Sequence, residues 1–161
     1  MAPLAVIIQT DQGYAARFER LLPQKAAQVW AALTEDAALA VWMPNLKTGE
    51  LGSGGSMLFD MKDGTSPLIE MSITDFVQGE VLEFEWGAGR VRFHVQPVAE
   101  GTRLELLEYV GEWTAHTPKD LAGWHVCLDL LANQLADEPR TFPQEEWEQW
   151  YEAYQAISKG L

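Results

Sequence analysis

Between residues 14 and 22 apolar and polar side chains change places one by one: Tyr14, Ala16 and Phe18 alternate with Ala15, Arg17 and Glu19. This is the two-residue period of a strand with one buried face. Pro23 closes the segment and suits the opening of a helix. The period then lengthens. In KAAQVWAALT, residues Ala26, Val29, Trp30 and Leu33 recur at helical spacing, and a second short helix is expected from 35 to 42, ahead of Pro44. Beyond Pro44 come strand-like segments at 46–51, 57–62, 68–77, 81–86, 90–98 and 102–110, separated by the turn signals GSGG, DG, QGE, GAG and EG. Consecutive strands joined by short turns predict an antiparallel meander. The pattern turns helical again in TPKDLAGWHVCLDLLANQLADEP. There Thr117 is expected to cap the helix, with Pro118 and Asp120 in the first turn. Leu121, Trp124, Leu128, Leu131 and Leu135 form its apolar stripe, with His125 and Cys127 on the flanks. After Pro143, Trp147, Trp150, Tyr151 and Tyr154 line one face of a last, short helix.

This order predicts an α+β domain in which a curved antiparallel sheet wraps a long C-terminal helix, with two short helices after the first strand. A single domain over 1–161 is expected, with a core at about 14–137 and the aromatic helix at about 144–157. Alternation assigns Met57, Phe59, Met61, Ile69, Met71, Ile73, Leu82, Phe84, Trp86, Val91, Phe93, Val95, Leu104 and Leu106 to the inner face. Asp60, Glu70, Glu83, Glu85, Arg92 and Glu105 fall on the outer one. Large aromatic and Met side chains suit either a solid core or the lining of a pocket.

Composition narrows the partners. The 161 residues are 47% hydrophobic and 22% charged, in the range of ordinary globular domains, and seven of them are Trp. The formal net charge is −13, and there is no basic run. Such a field repels phosphate backbones and anionic head groups, so neither nucleic acid nor a membrane is an expected partner. The single Cys127 suits a reducing, cytoplasmic setting. The apolar stretch at 4–8 is too short to span a bilayer and follows no basic segment, so no export signal is expected.

Motifs of catalysis are missing: there is no P-loop, GxGxxG, HExxH, GxSxG or CxxC. His125 and Cys127, two apart on a helix, face different ways, and His94 and His116 lie elsewhere, so neither metal nor cofactor is expected. GSGG precedes no helix and reads as a hairpin turn rather than a phosphate cradle. Two polar residues interrupt apolar stripes. Glu108 continues the line of Leu104 and Leu106; it should be paired with a cation, contact a ligand, or reach solvent through a bulge, because a lone buried carboxylate is costly. His125 stands at the edge of the long helix's stripe.

Several segments together resemble a known superfamily, SRPBCC or START-like, and within it the branch named for activators of the Hsp90 ATPase. FERLLPQKAAQVWAALTEDAALAVWMP at 18–44 is similar to that branch's opening. GGSMLF at 54–59, GWHVCLDLLANQL at 123–135 and the terminal WEQWYEAY resemble its later motifs. The resemblance implies the helix-grip fold and, as in much of the superfamily, an internal cavity for a small hydrophobic molecule, aromatic or lipid-like. It implies that Trp30, Trp42, Phe59, Met71, Phe84, Trp86, Phe93, Glu108, Trp124, His125 and Leu128 surround or border that cavity. Gly123 would permit a close helix–sheet approach or mark a bend. No catalytic set travels with the branch. An enzyme of cyclase, dehydratase or hydrolase type, with Glu108 or His125 as acid or base, is the first alternative function. A protein-interaction module with a chaperone partner or a second copy of the chain is the other.

Overall fold

The computed structural model describes residues 3–161. Two strands, β1 (Val6–Thr10) and β2 (Gly13–Leu22), lead to helices α1 (Ala26–Thr34) and α2 (Asp36–Trp42). Six strands follow: β3 (Leu46–Thr48), β4 (Ser56–Phe59), β5 (Ile69–Val77), β6 (Val81–Trp86), β7 (Gly89–Val98) and β8 (Gly101–Val110). Helices α3 (Thr117–Leu135) and α4 (Gln144–Ser158) end the chain. The strands form one antiparallel sheet in the order β1-β2-β8-β7-β6-β5-β4-β3. This is the helix-grip architecture, with α1, α2 and α3 on the concave face.

Pairing carries the inner face across the sheet in rows. Ala16 lies beside Glu108, Glu108 beside Val91, Val91 beside Phe84 and Phe84 beside Ile73. The next row runs Phe18, Leu106, Phe93, Leu82, and the one after it Arg20, Leu104, Val95. All of these side chains are buried. The helix α3 lies along the rows, burying Leu121, Trp124, His125, Leu128 and Leu131. On the concave side α2 is fixed by Trp42, whose indole Nε1 donates to the Ala32 carbonyl at 2.8 Å. Backbone crowding makes two glycines obligatory. A Cβ on Gly55 would lie 1.7 Å from the Glu50 carbonyl oxygen, and one on Gly101, at φ +143°, 2.1 Å from that of Leu22.

Several expectations are corrected or refined. The stretch at 4–8 is partly the edge strand β1, hidden from pattern reading because its run LAVII does not alternate. The third and fourth strands stop at Thr48 and Phe59, so Met61 lies beyond the strand and is exposed, as is Ile69 at the start of β5. Thr117 is the first residue of α3 rather than its cap, which is His116; the Thr117 hydroxyl instead accepts a hydrogen bond from the Thr114 N–H at 3.0 Å. Glu83 does sit on the outer face but is nearly buried, held by the Thr74 hydroxyl at 2.9 Å and by Arg92 at 3.1 Å. Gly123 has open space where a Cβ would stand, so it is not the site of a close approach. No helix among the described residues is long and apolar enough to cross a membrane.

Candidate functional site

The inner end of the sheet, where α3 begins, gathers most of the residues nominated above. Trp86 sits at the end of β6 opposite Gly89. Its ring centre is 4.9 Å from Trp124, 5.5 Å from Phe59 and 6.4 Å from Phe84. Phe93 closes the cluster, 5.8 Å from Trp124 and 6.4 Å from Phe84. These are mostly edge-to-face contacts, the arrangement that aromatic quadrupoles favour. Phe59 and Trp86 are only partly buried, while the others are covered.

Glu108 opens into the same place. Its neighbours across the sheet, Ala16 and Val91, are small, which lets the first turn of α3 approach. The residue is 4% exposed, and its carboxyl is hydrogen-bonded to Asp120 of that turn. Burial first, then the bond to Asp120 and the negative charge there, push the Glu108 carboxyl well above the usual range, which favours its protonated form. The Asp120 carboxylate also accepts from the Trp86 indole N–H, 3.2 Å from each oxygen, and the positive end of the α3 dipole lies beside it. Glu108 Oε1 and Trp124 Nε1 are buried without a hydrogen-bond partner among the described residues. Buried polar atoms of this kind are uncommon in folded proteins, and each one left unpaired costs about 1–3 kcal/mol.

His125 is adjacent to Trp124 in sequence but faces the other way. Its ring stacks on Trp150 at 3.9 Å, and its Nδ1 lies 2.8 Å from the Tyr154 hydroxyl. That hydroxyl also accepts the Ala5 N–H at 2.9 Å, so a single oxygen joins Ala5 to the imidazole. Burial, with the charge of Arg20 adding to it, lowers the His125 pKa to about 3. The imidazole is a neutral member of the core between α3, α4 and β2. Glu108 and His125 are thus parts of two separate clusters. Trp30 packs on Phe76 at 5.7 Å, and Trp42 is tied to Ala32, both away from Glu108. Met71 and Leu128 are buried in the core. Cys127, half-buried, has its thiol pushed up to about 12 by burial and by Asp120, which makes it inert as a nucleophile.

Two residues of these clusters escaped the pattern reading. Asp120 was assigned only to a helix start, although it sits one turn before Trp124. Arg20 continues the inward alternation of Ala16 and Phe18; a cation at that position was the available signal, and the residue is only 8% exposed.

Residues 24–136, well over half of the chain, match the family described as activator of Hsp90 ATPase homolog 1-like protein. The chain belongs to this family. Solved structures share the architecture of this chain, some of them across nearly all of it. A conserved protein of unknown function, EF2215 from Enterococcus faecalis, is 25% identical, with 98% of this chain and 91% of that one covered and a TM-score of 0.86. CalU16 from Micromonospora echinospora is 17% identical over 95% of this chain and 94% of its own, with a TM-score of 0.72. The Aha1 dimer from Colwellia psychrerythraea, known from a solution structure, is 17% identical over 75% of this chain and 95% of its own, with a TM-score of 0.63. No curated protein matches the sequence.

Proposed function

We propose that this Hsp90-activator homologue binds a small, flat, largely apolar molecule bearing one hydroxyl group, a phenol or a fused-ring relative, between the sheet and the start of α3. The observation that carries the reading is the pair of unpartnered buried atoms within one aromatic cluster. With the carboxyl proton shared toward Asp120, Glu108 Oε1 would be an acceptor, and Trp124 Nε1 is a donor. A hydroxyl complements both at once, because it donates one hydrogen bond and accepts another. A carboxylate does not, having no proton to give and meeting Asp120. The apolar remainder would lie among Phe59, Phe84, Trp86 and Phe93. A few placed polar groups in an aromatic lining are the usual composition of a small-molecule site.

Access is supported from one side. The exposed Ile69 pairs with Phe59, which touches the half-buried Trp86. A continuous apolar line therefore runs from the surface to Trp124. A guest would enter by displacing Phe59 and Trp86, whose partial exposure leaves them the least constrained rings of the cluster.

The protonated Glu108 beside Asp120 also favours a second reading, a general acid acting on the bound hydroxyl compound. One experiment separates the two. Titration of 2-naphthol and naphthalene, followed by Trp fluorescence, should give saturable quenching with 2-naphthol at least tenfold tighter than with naphthalene. Glu108→Gln keeps an acceptor oxygen and an N–H for Asp120, so binding should persist; Glu108→Leu should lose the preference for the hydroxyl. Equal affinity for both compounds in the wild-type protein ends the binding proposal. An acid role further requires that Glu108→Gln, while binding, abolish turnover of a substrate.

A further inference from the structure

Trp86 is the one ring of the aromatic cluster that solvent reaches and that a polar bond also ties to the facing helix. Phe84, Phe93 and Trp124 are at most 2% exposed, whereas Phe59 and Trp86 are partly open. Phe59 carries no polar side-chain atom, so packing alone holds it. Trp86 is held on α3 through its indole N–H, which lies 3.2 Å from each oxygen of Asp120. Both distances exceed the usual value of about 2.9–3.0 Å, so one proton is shared between two acceptors and committed to neither.

The two ends of this bond stand on rigid backbone. Asp120 belongs to the first turn of α3. Trp86 closes β6 and is followed by the two-residue turn Gly87–Ala88, with Gly87 at φ +57°. That turn is pressed against β8: a Cβ on Gly89, the strand partner of Trp86, would lie 2.0 Å from the Tyr109 carbonyl oxygen. The hairpin cannot swing without leaving β8, so the indole moves by rotation about its own side-chain bonds.

Against the indole stands Trp124, 4.9 Å between ring centres, whose own N–H is buried with no partner among the described residues. Asp120 is bonded to Glu108 as well. Turning Trp86 outward therefore breaks one hydrogen bond and removes the ring that covers Trp124, beside the carboxyl pair.

We propose that Trp86 is a gate over the Glu108 site and Asp120 its latch: rotation of the indole, released by loss of its hydrogen bond to Asp120, sets the rate at which a guest reaches Trp124. This rests on the binding reading above and adds what controls entry.

The test follows solvent exchange of the tryptophan indole N–H groups by NMR, on the full chain labelled with nitrogen-15. The Trp124 N–H has no partner to part from, so its exchange waits on water reaching it. The Trp42 N–H, bonded to Ala32, reports general loosening of the fold. Trp86→Phe keeps an aromatic ring and removes the donor; Asp120→Ala removes the acceptor. Each should speed exchange at Trp124 at least tenfold and leave Trp42 unchanged. The double variant should go no faster than the quicker single one, since all three lack the same bond. An unchanged rate at Trp124, equal acceleration at Trp42, or additive effects in the double variant overturn the gate. Should Trp86→Phe not fold, Asp120→Ala decides alone. No ligand enters this measurement, so a failed gate is told apart from a failed site: saturable 2-naphthol binding with an unchanged Trp124 rate in the variants sinks the gate and leaves the site standing. Where 2-naphthol binds, it should associate with Trp86→Phe at least tenfold faster than with the wild-type protein, and equal association rates also overturn the gate.

Discussion

Single side chains in this protein matter most where they complete a buried chain of donors and acceptors. Tyr154 is the example: its hydroxyl accepts the Ala5 N–H and shares a hydrogen bond with His125 Nδ1, so one atom ties the N-terminal segment, α3 and α4 together. Tyr154→Phe removes that atom without changing the shape of the ring and leaves two buried partners unmet. The expected loss is about 2–6 kcal/mol of unfolding free energy, at about 1–3 per orphaned group, read by urea denaturation. A loss below the error of the measurement would show that the hydroxyl does not bridge the two. The same principle separates the residues named from the sequence. Trp42 is satisfied by Ala32 and is structural, whereas the Trp124 N–H has no partner among the described residues. The type of residue and its face were legible in the alternation; whether its polar atom found a partner was not, because that partner comes from another element.

At the level of elements, pattern reading located six strands after α2 and all four helices, and missed β1. The difference lies in surroundings. Strands with one wet and one buried face alternate, whereas an edge strand that is covered by little and supported by α4 has no reason to. Glycines divide in the same way. Gly101 must be glycine, since any Cβ would lie 2.1 Å from the Leu22 carbonyl oxygen at a φ of +143°. Gly123, inside α3, faces open space. Gly101→Ala should therefore destabilise the fold by more than about 1 kcal/mol, while Gly123→Ala should stabilise it by about 0.5–1 kcal/mol through helix propensity. Thermal unfolding of the two variants should move in opposite directions; a loss of stability in Gly123→Ala would mean that α3 needs a flexible or closely approached position there.

For the molecule as a whole, two buried groups set opposing dependences on pH. The His125 pKa is lowered from 6.5 to about 3, so its contribution to stability is present above 6.5 and is lost as the pH falls toward 3. The Glu108 pKa is raised above 4.5, so its contribution is complete below 4.5 and is lost as the pH rises through the elevated value. Unfolding free energies measured at pH 7 and pH 4 should show the wild-type protein losing more on acidification than His125→Gln, which cannot take the proton. If the two lose equally, His125 does not stay neutral in the folded state.

Period, punctuation and charge in the chain determined the α+β class, the meander, the long grip helix and the inward placement of Glu108, because these depend on short-range geometry that repeats every two or 3.6 residues. Only the tertiary structure decided that Glu108 meets Asp120 while His125 turns to Tyr154, and that Arg20 stands buried with an open edge. Those outcomes depend on strand register and on which face of α3 meets which row of the sheet. Contacts between residues more than 100 positions apart, such as Ala5 with Tyr154, leave no periodic trace in the sequence.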